Sequence, residues 1–513
     1  KRIASLTPAK RELLARRLRE RERVTDALKP TTIPRRNKSS SCPPLSFAQE
    51  RLWFLNQLEP DSTAYNIFTC VRLAGSLNIA LLKQSFREIV RRHESLRTTF
   101  AEIEGQPVQV ISENADVQLP LVDLCEMSVE RLDGIIVGLA LAEAQRPFDF
   151  RCGPLFRVVL LRLGVEQHVV LLTMQHIISD AWSLELLMRE VVAVYGAFAG
   201  GYPSSLAELP IQYADYAIWQ RRTLQGEILE KQMAYWKHQL GSCPAARPLP
   251  GDRPRTSVFT DRGARQLLSL SEELSGALRL LSQREEATLF MLMLTAFQIL
   301  LYTRTRQENI LVGTPVASRN RVETENLIGF FINTLVLRTN FSGNPNFRQM
   351  LRRVREVSLG AFAHRDLPFE KLVQALEPSR TLHPTPLFHA GFTFRQAVRE
   401  AFQLPGLSLS YMQIHSGRAQ FDLNLNVLEE ECGLALSLEY KTDLFDRSTI
   451  NRMLSDCETL LQTIAARPEI SLRELDEMLT QAERQRWIDR RGEITEAHAR
   501  TFRQARRRSI AEG

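Results

Sequence analysis

Three observations predict an α+β fold built from two lobes. Segments with helical spacing of apolar residues alternate irregularly with short apolar runs, without the regular rhythm of βαβ units. The length of 513 residues exceeds what one ordinary hydrophobic core accommodates. Hydrophobic residues at 44% and charged residues at 24% are typical of a globular protein in water.

The first 44 residues are predicted to form a helix and a linker ahead of the globular body. Thr7 and Pro8 are a helix start signal, and the leucines that follow among many charges indicate a surface helix over residues 7–28. The prolines and serines of residues 29–44 indicate an extended linker. The body then begins at Leu45.

The first half of the body combines helical faces with one hairpin. Leu82 and Phe86 share a helical face, and two apolar runs around a Gly-Val-Glu turn predict a hairpin whose second strand leads to His176. The expected elements are a helix over 81–92, strands over 155–163 and 168–174, a helical face over 184–195 and a long helical region over 213–236.

The second half repeats this style. Its expected elements are a buried helix over 288–302, strands over 310–312 and 335–338, a helix over 347–362, strands over 390–394, 421–427 and 434–440, and a last helix over 448–466. These patterns assign residues 45–220 to an N-terminal lobe that carries the active-site motif, 221–482 to a C-terminal lobe and 483–513 to a basic linker toward a following domain.

Charge and cysteine usage exclude several classes of function. Residues 1–38 hold 13 Lys and Arg against 4 Asp and Glu, and residues 483–513 hold 9 against 5, so the positive charge lies at the ends and not around a cleft. This argues against a nucleic-acid partner. The seven cysteines are scattered without a C-x-x-C pair, which argues against a metal site or a disulfide framework and for a reducing cytoplasm.

Membrane and nucleotide chemistry are not expected either. The first residues contain no signal-peptide core, and the longest apolar run, Leu289 to Tyr302, is too short to span a bilayer. Phosphate-binding loops, dinucleotide fingerprints, H-E-x-x-H and G-x-S-x-G are all missing. His176 remains as the candidate acid–base group, because a histidine at a strand end is fixed in direction and titrates near neutral pH.

Seven segments in order resemble the core motifs of condensation domains of non-ribosomal peptide synthetases. Residues 175–183, Gln-His-Ile-Ile-Ser-Asp-Ala-Trp-Ser, resemble the H-H-x-x-x-D-G motif of that family. The other matching segments are residues 45–55, 92–98, 213–220 with 235–236, 328–334, 364–373 and, more loosely, 380–396.

The resemblance implies a fold similar to chloramphenicol acetyltransferase. Two related lobes would form a V-shaped pseudo-dimer, with His176 at their junction on a central tunnel. Donor and acceptor carrier proteins would bring thioester-linked groups to the two tunnel mouths on phosphopantetheine arms, beside neighbouring synthetase domains. The acceptor amine would attack the donor thioester to form an amide, and the chain itself would bind no cofactor.

The resemblance also implies roles for single residues. His176 is expected to handle the proton, either as a base or as a hydrogen-bond positioner. Asp180 is expected to be structural and to pair with an arginine, for which Arg319 is the candidate. Trp182 and Ser183 complete the motif as structural positions. Asn333 is predicted either to reach the tunnel or to cap a turn.

Two departures from the family pattern leave two hypotheses open. Gln175 stands where the family has its first histidine, and Ala181 stands where it has glycine. The first hypothesis is an acyltransferase that forms amide bonds. The second is a weakened, condensation-like platform that recruits a tailoring enzyme to a loaded carrier protein.

Overall fold

A computed structural model describes most of the chain. The described residues are 32–37, 42–114, 116–241, 248–255, 260–376, 387–397, 403–404, 406–431, 433–486 and 488. The helix predicted over 7–28 lies outside these residues, as does most of the predicted linker over 483–513.

The N-terminal lobe contains a mixed sheet with helices packed against it. Its helices are α1 (Phe47–Leu58), α2 (Ile79–Arg92), α3 (Val129–Ala144), α4 (Ala181–Ala199) and α5 (Tyr213–Thr223). Its strands are β1 (Asn66–Gly75), β4 (Leu121–Asp123), β5 (Phe156–Arg162) and β6 (Gln167–Gln175), with a separate hairpin of β2 (Thr98–Ile103) and β3 (Gln106–Ile111). Two 3-10 turns cover Glu94–Arg97 and His176–Ile178.

The C-terminal lobe is built in the same way. Its helices are α6 (Gly226–Leu240), α7 (Glu272–Arg284), α8 (Leu289–Thr305), α9 (Val322–Glu325), α10 (Phe347–Ala363), α11 (Phe369–Leu376) and α12 (Arg447–Ala466). Its strands are β7 (Gly263–Ser269), β8 (Asn309–Ala317), β9 (Ile332–Asn340), β10 (Ala390–Gln396), β11 (Gln403–Leu404), β12 (Leu407–Met412), β13 (Leu423–Glu429) and β14 (Leu434–Lys441).

Two six-stranded sheets organise the molecule. The first has the order β11-β12-β1-β6-β5-β4, and the second has the order β7-β14-β13-β10-β8-β9. Strand β12 comes late in the sequence, yet it pairs antiparallel with β1 of the first sheet, with Cys70 opposite Met412. The chain therefore crosses from the second lobe to complete the sheet of the first.

Each lobe has its own apolar core. In the first lobe Leu82 and Phe86 of α2 pack with the buried strand β6. In the second lobe every residue from Met291 to Leu301 of α8 is buried. A third, smaller cluster joins the lobes and consists of Ile33, Leu209, Ile211, Tyr213, Tyr216, Leu327 and Phe331.

Most of the predicted elements are present, and one prediction is wrong. The hairpin is β5 and β6, and the buried helix is α8. The single helical region predicted over 213–236 is two helices, because the chain breaks at Leu224 and Gln225 and Gly226 has a φ of 53°, in the left-handed region. After α12 a further helical segment over 472–486 reaches into the predicted linker, where Arg486 pairs with the buried Asp456. The lobe boundaries themselves stay predictions.

Among the described residues no single helix is long and apolar enough to cross a membrane. The pair α7 and α8 passes a test of length and composition together, but it is bent by 105° and α8 lies in the core.

Candidate functional site

His176 occupies the point where β6 turns toward α4. Strand β6 ends at Gln175, and the 3-10 turn begins at His176. The backbone N–H of His176 donates to the carbonyl of Tyr65, 2.9 Å away, just before β1 begins. The imidazole is therefore carried by a turn that is anchored to the central strands of the first sheet.

The surroundings of His176 favour one neutral form of its ring. Nδ1 lies 3.0 Å from the carbonyl oxygen of Ser179, and because a carbonyl only accepts, Nδ1 carries the proton. Nε2 of the neutral ring then keeps its lone pair. The pKa of His176 is lowered, because burial disfavours the charged ring more than the Ser179 carbonyl and Asp180 favour it. The ring of Phe330, in the second lobe, lies 5.2 Å from the imidazole, centroid to centroid.

Gln175 caps the turn that carries His176. Its buried side chain accepts a hydrogen bond from the N–H of Ile177 at 2.8 Å. A cleft of about 210 Å³ lies between the lobes on this side, and Gln175 forms part of its wall. The cleft is also lined by Leu52, Tyr65, Phe150, Asp261, Arg418 and Lys441, among others. The glutamine thus has a local structural role next to the space between the lobes.

Asp180 begins α4 and holds the second lobe. Its carboxylate accepts from the N–H and the hydroxyl of Ser183, at 2.7 and 2.6 Å, and from the N–H of Phe331 at 3.1 Å. The guanidinium of Arg319 lies 3.1 Å from the same carboxylate, and both side chains are almost completely buried. Arg319 is thus the partner that the sequence suggested, and the pair lies across the lobe junction.

Arg319 and Ser183 extend this junction. Arg319 donates to the carbonyls of Thr324 and Leu327 and lies 4.1 Å from the centre of the Phe331 ring. Burial lowers the pKa of its guanidinium, which stays charged beside Asp180. The Ser183 hydroxyl oxygen lies 3.0 Å from the N of Gly329 and accepts its hydrogen bond. The arrangement is a desolvated polar network between the lobes, and its hydrogen bonds serve packing more than proton transfer.

Ala181 and Trp182 are the first residues of α4. Ala181 is helical and is not among the residues with positive φ, so its methyl group causes no backbone strain. The indole N–H of Trp182 donates to the carbonyl of Glu325 at 2.9 Å, although the side chain is 47% exposed. Trp182 therefore bridges the lobes at the surface.

Asn333 ties β9 to the start of α11. Its amide nitrogen donates to the carbonyls of Arg365 and Leu367, at 2.8 and 2.7 Å, and its oxygen accepts from the N–H of Phe369 at 3.0 Å. These contacts favour the capping role over the alternative of a tunnel residue.

Several residues around the site were missed at the sequence level. Gln49 donates from its amide to the carbonyl of Ile177 at 3.0 Å, and the Tyr213 hydroxyl donates to the carbonyl of Phe330 at 2.7 Å. The S-x-x-Q spacing of Ser46 and Gln49 is a recognisable helix start signal. No local pattern indicates the contacts across more than a hundred residues.

A buried ionic network lies beneath the junction. The Nε2 atom of His93 lies 2.7 Å from the Glu190 carboxylate, and Arg92 approaches the same carboxylate at 3.3 Å. Nδ1 of His93 accepts from the N–H of Ile328 in the second lobe, so the ring donates through Nε2. Burial lowers the pKa of His93. The described residues contain no group of three His, Cys, Asp or Glu that could hold a metal ion.

The geometry can be compared with known proteins. The family model of the condensation domain matches residues 40–487. The chain is 46% identical over 439 residues to one of the large subunits of linear gramicidin synthase from Brevibacillus parabrevis, which is 85% of this chain but 6% of the relative.

Two solved structures are informative at different levels. The X-domain in the complex of the X-domain and OxyB from teicoplanin biosynthesis is 28% identical, with a TM-score of 0.77 over 86% of this chain and 97% of that one. The first condensation domain of the calcium-dependent antibiotic synthetase is 21% identical, with a TM-score of 0.72 over 85% of this chain and 99% of that one, and shows the shared fold.

Proposed function

The chain belongs to the condensation-domain family of non-ribosomal peptide synthetases, and we propose that it forms an amide bond between two carrier-bound substrates. The donor is an acyl or peptidyl thioester, and the acceptor is an aminoacyl thioester with a free amine. The chain spans less than a tenth of the length of the gramicidin synthase subunits it matches, so substrates and neighbouring domains are part of this proposal.

The observation that carries the proposal is the state of His176 at the lobe junction. With Nδ1 bonded to the Ser179 carbonyl, Nε2 is a neutral acceptor on a fixed ring. The acceptor nitrogen attacks the thioester carbon, the C–N bond forms and the C–S bond breaks. Nε2 takes a proton from the attacking nitrogen and returns it to the leaving thiolate, so the histidine ends unchanged. The lowered pKa of His176 keeps the ring able to accept that proton at neutral pH.

The two departures from the family motif are compatible with this role. Gln175 supplies the hydrogen bond that holds the turn, and Ala181 adopts the helix without strain. Neither residue removes the proton acceptor. We expect the chain to bind no cofactor of its own and to receive phosphopantetheine arms from donor and acceptor carrier proteins. We also propose a cytoplasmic setting, since the five cysteines among the described residues are unpaired.

The test is a His176→Ala variant assayed for amide product with loaded donor and acceptor carriers. We expect a loss of about 10²- to 10⁴-fold in rate, the usual contribution of a general base. His238→Ala, which changes an exposed histidine on α6, serves as the matched control and keeps full rate. Equal rates for wild type and His176→Ala would refute the catalytic role.

A second candidate function is supported by the likeness to an X-domain. That neighbour was solved in complex with OxyB, and it is 28% identical to this chain. By analogy, the chain would serve as a platform that recruits a tailoring enzyme to a loaded carrier. No product from the wild-type chain, together with saturable binding of an oxygenase, would favour this alternative over catalysis.

A further inference from the structure

We propose that Gln49 is a positioning residue that sets the orientation and the tautomer of His176, a proposal that rests on the catalytic role proposed for His176. Gln49 lies in the first turn of α1 and is 1% exposed. It contacts neither the imidazole nor the cleft between the lobes. Its effect is transmitted through the turn His176–Ile178.

The Gln49 amide uses both of its ends. Its oxygen accepts from the backbone N–H of Ser46 at 3.0 Å, which completes the capping box of α1. Its nitrogen donates to the carbonyl of Ile177 at 3.0 Å. The N–H of the same Ile177 is held by Gln175, so both polar groups of this residue have fixed partners.

The position of Ile177 controls His176 through Ser179. The turn is one short 3-10 segment, and the proton on Nδ1 of His176 is bonded to the carbonyl at its end, on Ser179. If Ile177 moves, that carbonyl moves with it. The ring then loses the partner that fixes which nitrogen carries the proton.

The same helix start also holds the opposite wall of the imidazole. The Ser46 hydroxyl lies 2.8 Å from the Tyr213 hydroxyl, which donates to the carbonyl of Phe330 at 2.7 Å. Ser46 therefore donates to Tyr213 while it accepts from the N–H of Gln49. The ring of Phe330 packs against His176. The start of α1 thus fixes both the turn that carries the imidazole and the ring that faces it.

Only a side chain with the length and the two-sided chemistry of glutamine satisfies this position. Glutamate would still accept from Ser46, but it would place a carboxylate oxygen against the Ile177 carbonyl. Methionine has similar length and forms neither hydrogen bond. The two variants therefore separate loss of the Ile177 bond from loss of the whole cap.

A matched control exists at α10, where Asn346 and Gln349 form the same capping box. Gln349 accepts from the N–H of Asn346 at 3.0 Å and is exposed, far along the chain from the site. Gln349→Glu and Gln349→Met repeat the chemical changes at an equivalent helix start. They are expected to keep kcat within about twofold of wild type, because they leave the geometry around His176 unchanged.

The experiment measures the full chain labelled with ¹⁵N-histidine by NMR, with His176→Ala to assign the signal among nine histidines. Wild type is expected to show the neutral Nδ1–H tautomer of His176, and Gln49→Glu and Gln49→Met a mixture of both tautomers. In the amide-forming assay, kcat is expected to fall about tenfold or more with KM within about twofold, as for misplacement of a catalytic group. If the glutamate variant does not fold, the methionine variant carries the test.

The outcomes separate the two proposals. An unchanged tautomer in the folded Gln49 variants overturns the positioning role, whatever happens to kcat. A changed tautomer with unchanged kcat also overturns it when His176→Ala is inactive. If His176→Ala keeps full activity, the catalytic role fails, and the nitrogen shifts alone still decide whether Gln49 sets the tautomer.

Discussion

Asp180 and Arg319 form a buried ion pair that joins the two lobes. The Asp180 carboxylate has hydrogen bonds from Ser183 and Phe331 in addition to the guanidinium, and Arg319 donates to two backbone carbonyls. A charge removed from water is tolerated only when its partners remain. The pair is therefore more important for the integrity of the junction than for proton transfer.

Arg319→Ala is expected to lower the free energy of unfolding by about 3–5 kcal/mol, because it leaves the Asp180 carboxylate buried without its countercharge. Urea unfolding followed by tryptophan fluorescence measures the change. Arg87→Ala, which removes a pair at the surface with Asp116, is the control and should leave the midpoint unchanged. Equal midpoints for both variants would mean that the buried pair adds nothing to the junction.

Residues 32–37 form a short strap that packs across the lobe junction. Ile33 is 4% exposed and lies among Tyr216, Leu327 and Phe331, while Arg36 pairs with Asp215 at 2.9 Å and with Glu94 at 2.6 Å. The strap precedes residue 40, where the match to the family model begins. The sequence predicted only an extended linker here, because two anchoring side chains among prolines form no periodic pattern.

Ile33→Ser is expected to destabilise the folded chain by about 2–4 kcal/mol, since it replaces a buried side chain in a cluster shared by both lobes. Differential scanning calorimetry measures the effect. Ile228→Ser, at a 47% exposed position on α6, provides the same chemical change without the burial. A strap that only passes over the surface would give the two variants the same melting temperature.

The elements that were predictable are those with local signals. The apolar face of α2 and the buried run of β6 follow from spacing and composition, and the turn after β6 follows from its motif. The pairing of β12 with β1 was not predictable, since it joins residues more than three hundred positions apart. The same holds for Gln49 and Ile177, which are 128 residues apart. His176, Asp180 and Arg319 could be named from motif resemblance, whereas their supporting contacts depend on how the lobes fold together.

At the scale of the whole molecule, the candidate site lies where the lobes are tied together. Trp182 bonds to Glu325, Tyr213 to Phe330 and Gln420 to Ala64, and each of these pairs connects the two lobes near the turn of His176. A change in the relative position of the lobes would therefore move Phe330 and the turn in relation to each other. Catalytic geometry and lobe packing depend on the same contacts.

Stability is expected to fall as the pH drops below the ordinary histidine value of 6.5, because the pKa values of His93, His168 and His176 are all lowered by burial. The native state keeps these rings neutral, while the unfolded chain binds protons below pH 6.5. Their contribution to stability is therefore complete above pH 6.5 and is lost as the pH falls toward the folded-state pKa values. Melting temperatures measured between pH 7.5 and pH 5 should be flat at first and then decline.

The contribution of His93 can be isolated with His93→Gln. Glutamine can donate to Glu190 and accept from the N–H of Ile328, as the neutral ring does, but it does not titrate. A fully buried neutral histidine contributes up to about 1.4 kcal/mol per pH unit in this window. The variant should therefore show a shallower decline than wild type, whatever its stability at pH 7.5. A steeper decline would mean that His93 is protonated in the folded protein and forms an ion pair with Glu190, since a raised pKa stabilises the native state as the pH falls.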